Sequence, residues 1–404
     1  MRILVLDGNQ NQAVASMRSL AKAGHQVLAG ASSSWSKAGW SRSCRGTFQY
    51  PDPHQNVSGF VARIAEVAAR QSGTLVLPMT EATTLPLSAH REVLQTAGAR
   101  IVLPSHDQIL RAFNKEETVR LAASLGIAVP KTTIICNADE ARAASQTTKF
   151  PVVLKPRSSV ETQSDGALRI TGRPRYARNA EELQTVYREM SRTCSRVLVQ
   201  EFVDGEGTGY FALMHHGELR AEFAHRRIRD VHPTGSGSAV RVSVEPDPQV
   251  RAASLAILQA LRWHGVAMVE FRQVPGRAPV FMEVNGRFWN SLPLACYAGA
   301  DFPALLAQMA ETGDVEQQNL EKQNSFRTGV RCRWLLGDFR HLVEVWRGAP
   351  AGYPRPFPGR WRTLLEVLTP VPGTFHDNFQ WADPLPELGD WLDFLERAFQ
   401  KARS

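Results

Sequence analysis

Val266-Ala267-Met268-Val269-Glu270-Phe271 and Phe281-Met282-Glu283-Val284-Asn285-Gly286-Arg287 are two apolar runs joined through Pro275-Gly276. Runs of this length bounded by turn residues read as facing strands, Val266 to Phe271 and Val280 to Val284. A hairpin centred between Gly276 and Arg277 places Glu270 directly opposite Glu283. Side chains alternate along a strand, so Asn285 and Arg287 share the Glu283 face if the chain stays extended. Two opposed carboxylates among apolar neighbours repel and lose hydration, which is destabilising unless a cation lies between them. Two carboxylates and an amide offer oxygen donors only, which suits Mg²⁺ or Mn²⁺ completed by water and substrate phosphates. The chemistry implied is phosphoryl transfer. The plain alternative is an edge hairpin with both acids in solvent and Arg287 as a surface ion-pair partner.

Working outward, the segment before the hairpin reads as a long helix from Asp247 to about Trp263. Upstream lie apolar strands at Val197-Leu198-Val199-Gln200 and Val152-Val153-Leu154-Lys155-Pro156, with a helix from Glu181 to Met190 between them. Asn114-Lys115-Glu116-Glu117 has the form of a capping box opening a helix that Gly126 and Pro130 end. The N-terminus reads strand, turn, helix, strand: Ile3 to Leu6, a Gly8-Asn9-Gln10-Asn11 turn, a face of Val14, Met17 and Leu20, then Val27-Leu28-Ala29. Such a β-α-β unit implies a parallel sheet. Its turn holds one glycine where a dinucleotide fingerprint needs three, which argues against that ligand. Further strands are expected at Leu75-Val76-Leu77 and Ile101-Val102-Leu103, so residues 1–105 form a small α/β domain. Five of the nine tryptophans and a cluster of prolines fall in residues 314–404, expected to be an appended segment packed on the main body, a dimer interface or a membrane-surface contact.

The composition is that of an ordinary globular chain: 404 residues, 43% hydrophobic and 21% charged, which excludes disorder and disulfide mini-scaffolds. Lys plus Arg is 47 against 39 for Asp plus Glu, a net charge of +8 that favours anionic partners. Five scattered cysteines without a C-x-x-C pair argue against zinc and disulfides and fit a reducing cytoplasm. No apolar run reaches the length of a membrane span, and the start turns polar too soon for a signal peptide.

In order and spacing, these signals resemble the ATP-grasp superfamily, which includes biotin carboxylase, the carbamoyl-phosphate synthase large chain and D-alanine ligases. The resemblance runs from about Pro104 to Pro303: Lys115 opening a helix before Gly126 to Pro130, Lys155 in Val-Val-Leu-Lys-Pro, Val199-Gln200-Glu201-Phe202-Val203 followed by Gly205-Glu206, then Glu270, Glu283, Asn285 and Arg287. It implies a mixed α/β and α+β protein. A Rossmann-like domain at 1–105 precedes an ATP-grasp domain at 106–313, with a lid at about 131–205 and the appended segment at 314–404. It implies ATP and Mg²⁺ (or Mn²⁺), with Lys115 and Lys155 on the phosphates and the segment Gln200, Glu201, Phe202 and Val203 around adenine. Glu206 then takes the ribose, Glu270, Glu283 and Asn285 hold the metal, and Arg287 is catalytic.

The activity implied is an ADP-forming ligase that activates a carboxylate as an acyl phosphate for attack by an amine. The alternatives are carboxylation like that of biotin carboxylase, for which no biotin-carrier segment is evident, and a nucleotide sensor without turnover. Two departures from the family stand out: a loop from Arg157 to Gly166 with one glycine where many members have several, and Asn in place of Asp before Lys115. A basic group, Arg220, His225, Arg226, Arg227, Arg229 and Arg241, is a candidate for holding an acidic substrate, and His225 and His232 are weak candidates for a base. Phe223 is the lone aromatic in that interval, too little for nucleic-acid binding.

Overall fold

The computed structural model describes residues 1–158, 160–162, 168–315 and 325–403. Its first sheet is parallel, with strands Arg2–Val5 (β1), Gln26–Ala31 (β2), Gly46–Gln49 (β3) and Leu75–Leu77 (β4) in the order β3-β2-β1-β4. Ile3, Leu4, Val5 and Leu6 are fully buried: Ile3 and Val5 pack with Val14, Met17 and Leu20 of the helix Asn11–Lys22, and Leu4 and Leu6 with Phe60, Val61 and Ile64 of the helix Val57–Ala69. At the turn after β1, a Cβ on Gly8 would lie 2.4 Å from Ser36 Oγ, so the space beside this turn is filled by protein. Asp7 accepts from Thr83 Oγ1 at 2.6 Å and from Met79 N at 3.0 Å, tying the same turn to the end of β4. The strand expected at Ile101 to Leu103 does not form. The pairing there is a single bridge from Leu75 to Arg100, after which Arg91 Nη2 donates to the Leu103 and Pro104 carbonyls.

A second, antiparallel sheet contains Thr132–Ile135 (β5), Val152–Pro156 (β6), Arg175–Ala177 (β9) and Val197–Glu201 (β10), in the order β5-β10-β6-β9. Between β6 and β9 lies a small pair, Val160–Thr162 (β7) and Leu168–Ile170 (β8). Ile135, Leu154, Val197 and Val199 meet Leu183 and Tyr187 from the helix Ala180–Met190 in a core of their own.

The third sheet has seven strands: Glu206–His215 (β11), Glu218–Arg229 (β12), Val240–Ser243 (β13), Gly265–Gln273 (β14), Val280–Asn285 (β15), Arg331–Arg333 (β16) and Thr374–His376 (β17). Their order is β15-β14-β11-β12-β13-β16-β17, antiparallel except for the last pair. Alternation divides its faces. Tyr210, Ala212, Val269 and Phe271 pack with Ile257 and Leu258 of the helix Pro248–Ala260. Phe211, Leu213, Phe223 and Met268 face Leu292, Leu305 and the helix Asn11–Lys22, so the first and third sheets share one core.

Beyond residue 313 the chain supplies β16 and β17 to this sheet and then returns to the N-terminal part. Lys37 and Asp390 form a buried ion pair at 2.6 Å, and Trp334 Nε1 donates to the same carboxylate at 2.5 Å. Two of the tail tryptophans stay in solvent: Trp361 is 73% and Trp381 91% exposed. Among the described residues, no helix is long and apolar enough to cross a membrane.

Candidate active site at the edge of the seven-stranded sheet

Strands β14 and β15 pair Met268 with Asn285, Val269 with Val284 and Glu270 with Glu283, the opposition expected from sequence. One position further the ladder slips, pairing Phe271 with Phe281, and Gly276 takes a positive φ of 75° in the connection. The slip is a bulge, which ends regular pairing beside the two acids. Asn285 Nδ2 donates to Glu283 Oε1 at 3.3 Å, and Arg287 Nη2 donates to Asn285 Oδ1 at 3.4 Å. Arg287 Nη1 also donates to the Phe288 carbonyl at 2.9 Å, fixing the guanidinium beside the acids.

Both acids carry counter-ions from the chain. Lys115 Nζ lies 3.2 Å from Glu283 Oε2, and Arg227 Nη2 lies 2.9 Å from Glu270 Oε2. The expectation that a metal is needed to relieve an uncompensated acid pair is therefore corrected: Lys115 and Arg227 already balance it. Burial pushes the Glu283 carboxyl up, but Lys115 and Lys155 outweigh it and hold the group at about 2. Burial lowers Arg227, yet Glu270 and Asp230 more than restore its charge.

Lys115 is placed by a capped helix, Lys115–Ser124, whose Asn114 Oδ1 accepts from Glu116 N at 3.1 Å and Glu117 N at 3.4 Å. Glu117 reaches back to the Asn114 side-chain amide at 2.8 Å, not to its backbone N–H, so the expected capping box is only half formed. The Lys115 backbone N–H donates to the Arg157 carbonyl at 3.0 Å, which joins this helix to the chain leaving β6. On β6, opposite Leu198, stands Lys155. Its ammonium makes no hydrogen bond or ion pair among the described residues, and burial lowers it to about 8, with Lys115 opposing and Glu283 favouring its charge.

Four cationic side chains, Lys115, Lys155, Arg227 and Arg287, thus surround two carboxylates. Adding Asp230, 3.6 Å from Arg227, and Arg272, which is bonded to the Gly205 and Gly235 carbonyls, leaves the same excess of two positive charges. A site of this kind draws a polyanion. Glu270, Glu283 and Asn285 offer oxygen donors alone, and Glu283 stays ionised, so the donor set fits a hard divalent cation.

Residues 193–335 match the profile described as ATP-grasp in the biosynthetic pathway with Ter operon. The chain resembles the biotin carboxylase domain of 2-oxoglutarate carboxylase from Hydrogenobacter thermophilus, solved with MgADP and bicarbonate: TM-score 0.62 and 15% identity over 82% of this chain and 73% of that one. An L-amino acid ligase from Bacillus licheniformis matches with TM-score 0.58 and 14% identity over 81% of this chain and 78% of that one. N5-carboxyaminoimidazole ribonucleotide synthetase from Thermus thermophilus matches with TM-score 0.55 and 18% identity over 77% of this chain and 78% of that one. These likenesses show an ATP-grasp fold.

Within this ATP-grasp fold, the structure gathers Lys115, Lys155, Glu270, Glu283, Asn285 and Arg287 into one cluster. The segment Gln200 to Val203 leaves β10 beside it. Gln200 is buried and donates to Thr132 Oγ1 at 3.1 Å, whereas Glu201 is exposed, with Oε2 3.4 Å from Lys131 N. Phe202 and Val203 are half-buried, and the Phe202 ring meets Tyr176 and Tyr353 edge-on at 6.2 and 6.3 Å. Glu206 is exposed and paired with Gln273, three positions from the Gly209 that faces Glu270, about 10 Å along the strand.

Of the basic group, only Arg227 reaches the acid pair. Arg229 is bound to Asp338 at 2.7 Å, Arg241 to Asp377 in full burial, and Arg220 to Asp314 at 2.7 Å, while Arg226 points to solvent. His225 is buried, hydrogen-bonded to Ser291 Oγ at 2.8 Å and kept neutral by burial and by Arg227 and Arg241. His232 is paired with Glu344 at 2.6 Å. Arg272 and Tyr353 went unnoticed in the sequence. Alternation from Glu270 points to Arg272, whereas nothing local signals Tyr353.

Proposed function

We propose that this chain is an ADP-forming ligase that uses MgATP to convert a carboxylate into an acyl phosphate and passes the acyl group to an amine. The observation that carries the reading is the Lys115–Glu283, Asn285, Arg287 and Arg227–Glu270 constellation, with Lys155 facing it from the second sheet. In this reading Lys155 and Lys115 hold the phosphates and Gln200 to Val203 border adenine. Glu206 takes the ribose hydroxyls, and Glu270, Glu283 and Asn285 hold Mg²⁺. An ion held by these three residues would supply positive charge to offset that on the transferring group.

A substrate carboxylate oxygen attacks the γ-phosphorus, the bond to the β–γ bridging oxygen breaks, and ADP leaves with that electron pair. Arg287, pre-oriented by Asn285 and the Phe288 carbonyl, stabilises the charge that builds on the acyl phosphate. An amine then adds to the acyl carbon, the bond from that carbon to the phosphate oxygen breaks, and phosphate departs with the electron pair and the proton the amine loses. Closure of the 157–166 loop is part of this proposal, because an acyl phosphate must be shielded from water. Ser159 and residues 163–166 lie outside the described residues.

The test is incubation with MgATP and pools of carboxylic acids, bicarbonate and amines, measuring nucleotide products and condensed mass. ADP with an amide product supports the ligase, whereas ADP that requires bicarbonate supports the carboxylase reading that the biotin carboxylase likeness raises. AMP release overturns the acyl-phosphate route. Tight MgATP binding with no turnover supports a sensor.

A further inference from the structure

We propose that His215, His216 and His264 form a binding site for one borderline divalent cation of the zinc class, separate from the magnesium and nucleotide cleft. β11 ends at His215. His216 and Gly217 follow with positive φ of 49° and 97°, forming a two-residue turn before β12 begins at Glu218. His264 directly precedes β14, whose Gly265 pairs with Met214. Gly217 N donates to the Trp263 carbonyl at 2.8 Å, clamping the hairpin tip against the segment that carries His264.

One ligand atom from each imidazole lies within 4.8 Å of the others. Tetrahedral zinc with nitrogen at about 2.0–2.1 Å places its ligands about 3.3 Å apart, so the widest pair closes by about 1.5 Å. The His216 and His264 rings are stacked, 4.2 Å apart and 8° from parallel, so their lone pairs converge only if one ring turns. His216 is exposed on a turn and has the room to do so. His215 Nδ1 sits 3.2 Å from Asp314 Oδ2, and Arg220 grips that carboxylate at 2.7 and 2.9 Å. A carboxylate behind an imidazole is the usual means of orienting a metal ligand.

His264 Nδ1 is buried without a hydrogen-bond partner among the described residues, a cost that a ligand removes. The charges facing the cluster are Asp314 and Glu218 against Arg220 and Arg91. Arg220 also lies 3.2 Å from His215 Nδ1 and is neutralised by the two acids. Nitrogen donors distinguish this site from the oxygen-only cleft, whose Glu270 stands five positions along β14 from Gly265, about 17 Å away. Three protein ligands leave a fourth position for water, and the bound ion fastens the hairpin tip to the start of β14.

The test is Co²⁺ titration of the full chain, read by visible absorption, with Zn²⁺ competition and thermal melts alongside. The expected result is one equivalent of an intense tetrahedral cobalt spectrum without a thiolate band, displaced by Zn²⁺ and accompanied by a raised Tm. In His216→Ala, whose exposed position spares the core, affinity falls about tenfold or more while MgATP binding is unchanged. Asp314→Asn weakens affinity less. A weak six-coordinate spectrum only, a thiolate band, or a tetrahedral spectrum that survives in both His216→Ala and His264→Ala overturns the site.

Discussion

If the proposed nucleotide site is correct, Lys155 makes binding there pH-sensitive in a range where carboxylates and unperturbed histidines no longer titrate. Its ammonium is half-buried at the end of β6 with no acid in salt-bridge reach among the described residues, and burial lowers it to about 8. A polyphosphate placed against it restores the charge, so binding is coupled to proton uptake. The sign follows from the lowered value: below pH 8 the lysine is charged before the nucleotide arrives, and above pH 8 binding must first protonate it. If the bound state holds the proton to pH 10 or higher, MgATP affinity falls about tenfold between pH 7 and pH 9, roughly 1.4 kcal/mol. At pH 8 about half a proton is taken up per nucleotide bound. Calorimetry in two buffers of different ionisation enthalpy measures both quantities. Lys155→Arg keeps a permanent charge and flattens the profile, while any titration on the nucleotide is common to both proteins. A pH-independent affinity in the parent chain, or an equal slope in Lys155→Arg, refutes the reasoning.

Glu283→Gln removes the partner of Lys115 and a proposed metal ligand: MgATP turnover drops by about a hundredfold or more, checked by steady-state kinetics on protein shown to be folded by circular dichroism. The Glu283 carboxylate is held at about 2, so its stabilisation is complete above pH 4.5 and lost as pH falls toward 2. The stability gap between parent and Glu283→Gln therefore narrows across that window, from at most about 3 kcal/mol, in urea titrations at stepped pH. Arg227→Met leaves Glu270 and Asp230 without their shared cation and lowers Tm, and the double variant Arg227→Met, Glu270→Met recovers most of the loss. Asp390→Ala strands the buried Lys37 ammonium and the Trp334 N–H, costing about 3–5 kcal/mol in chemical denaturation.

The decisive part of the fold was legible because it is local. Alternation in two short apolar runs and a Pro-Gly turn suffice to oppose Glu270 and Glu283, and nothing distant has to be known. The bulge that follows Glu270 was not legible, since a slip of one residue leaves the hydrophobic pattern of both runs intact. The counter-ions were missed for a related reason. Lys115 and Arg227 come from a helix and a strand far away in sequence, so charge balance at the hairpin is a tertiary property that no window around the acids contains. Strands β16 and β17 span three residues each, too few for a period to show, and Tyr353 reaches Phe202 from a proline-rich stretch whose own pattern announces no structure. At Ile101 to Leu103 the error ran the other way. The apolar run is real, but its carbonyls at 103 and 104 are taken by Arg91, and the pairing stops at Arg100.

The charges in the cleft have unequal origins, and that bears on how it handles a ligand. On the seven-stranded sheet and the helix beside it, Glu283 with Lys115 and Glu270 with Arg227 balance one for one. The surplus is Arg287, just past the end of β15, and Lys155, which the second sheet carries. Half of the positive excess therefore depends on where that sheet stands relative to the acids. The Arg157 carbonyl, two residues after Lys155, accepts from the Lys115 backbone, so the two lysines are coupled through one short stretch of chain. In the proposed reading, a polyanion bridging them gains Coulomb energy only while that stretch is in place. Sheet position and the charge balance at the acid pair are thus coupled, and the lowered proton affinity of Lys155 comes from burial on that sheet.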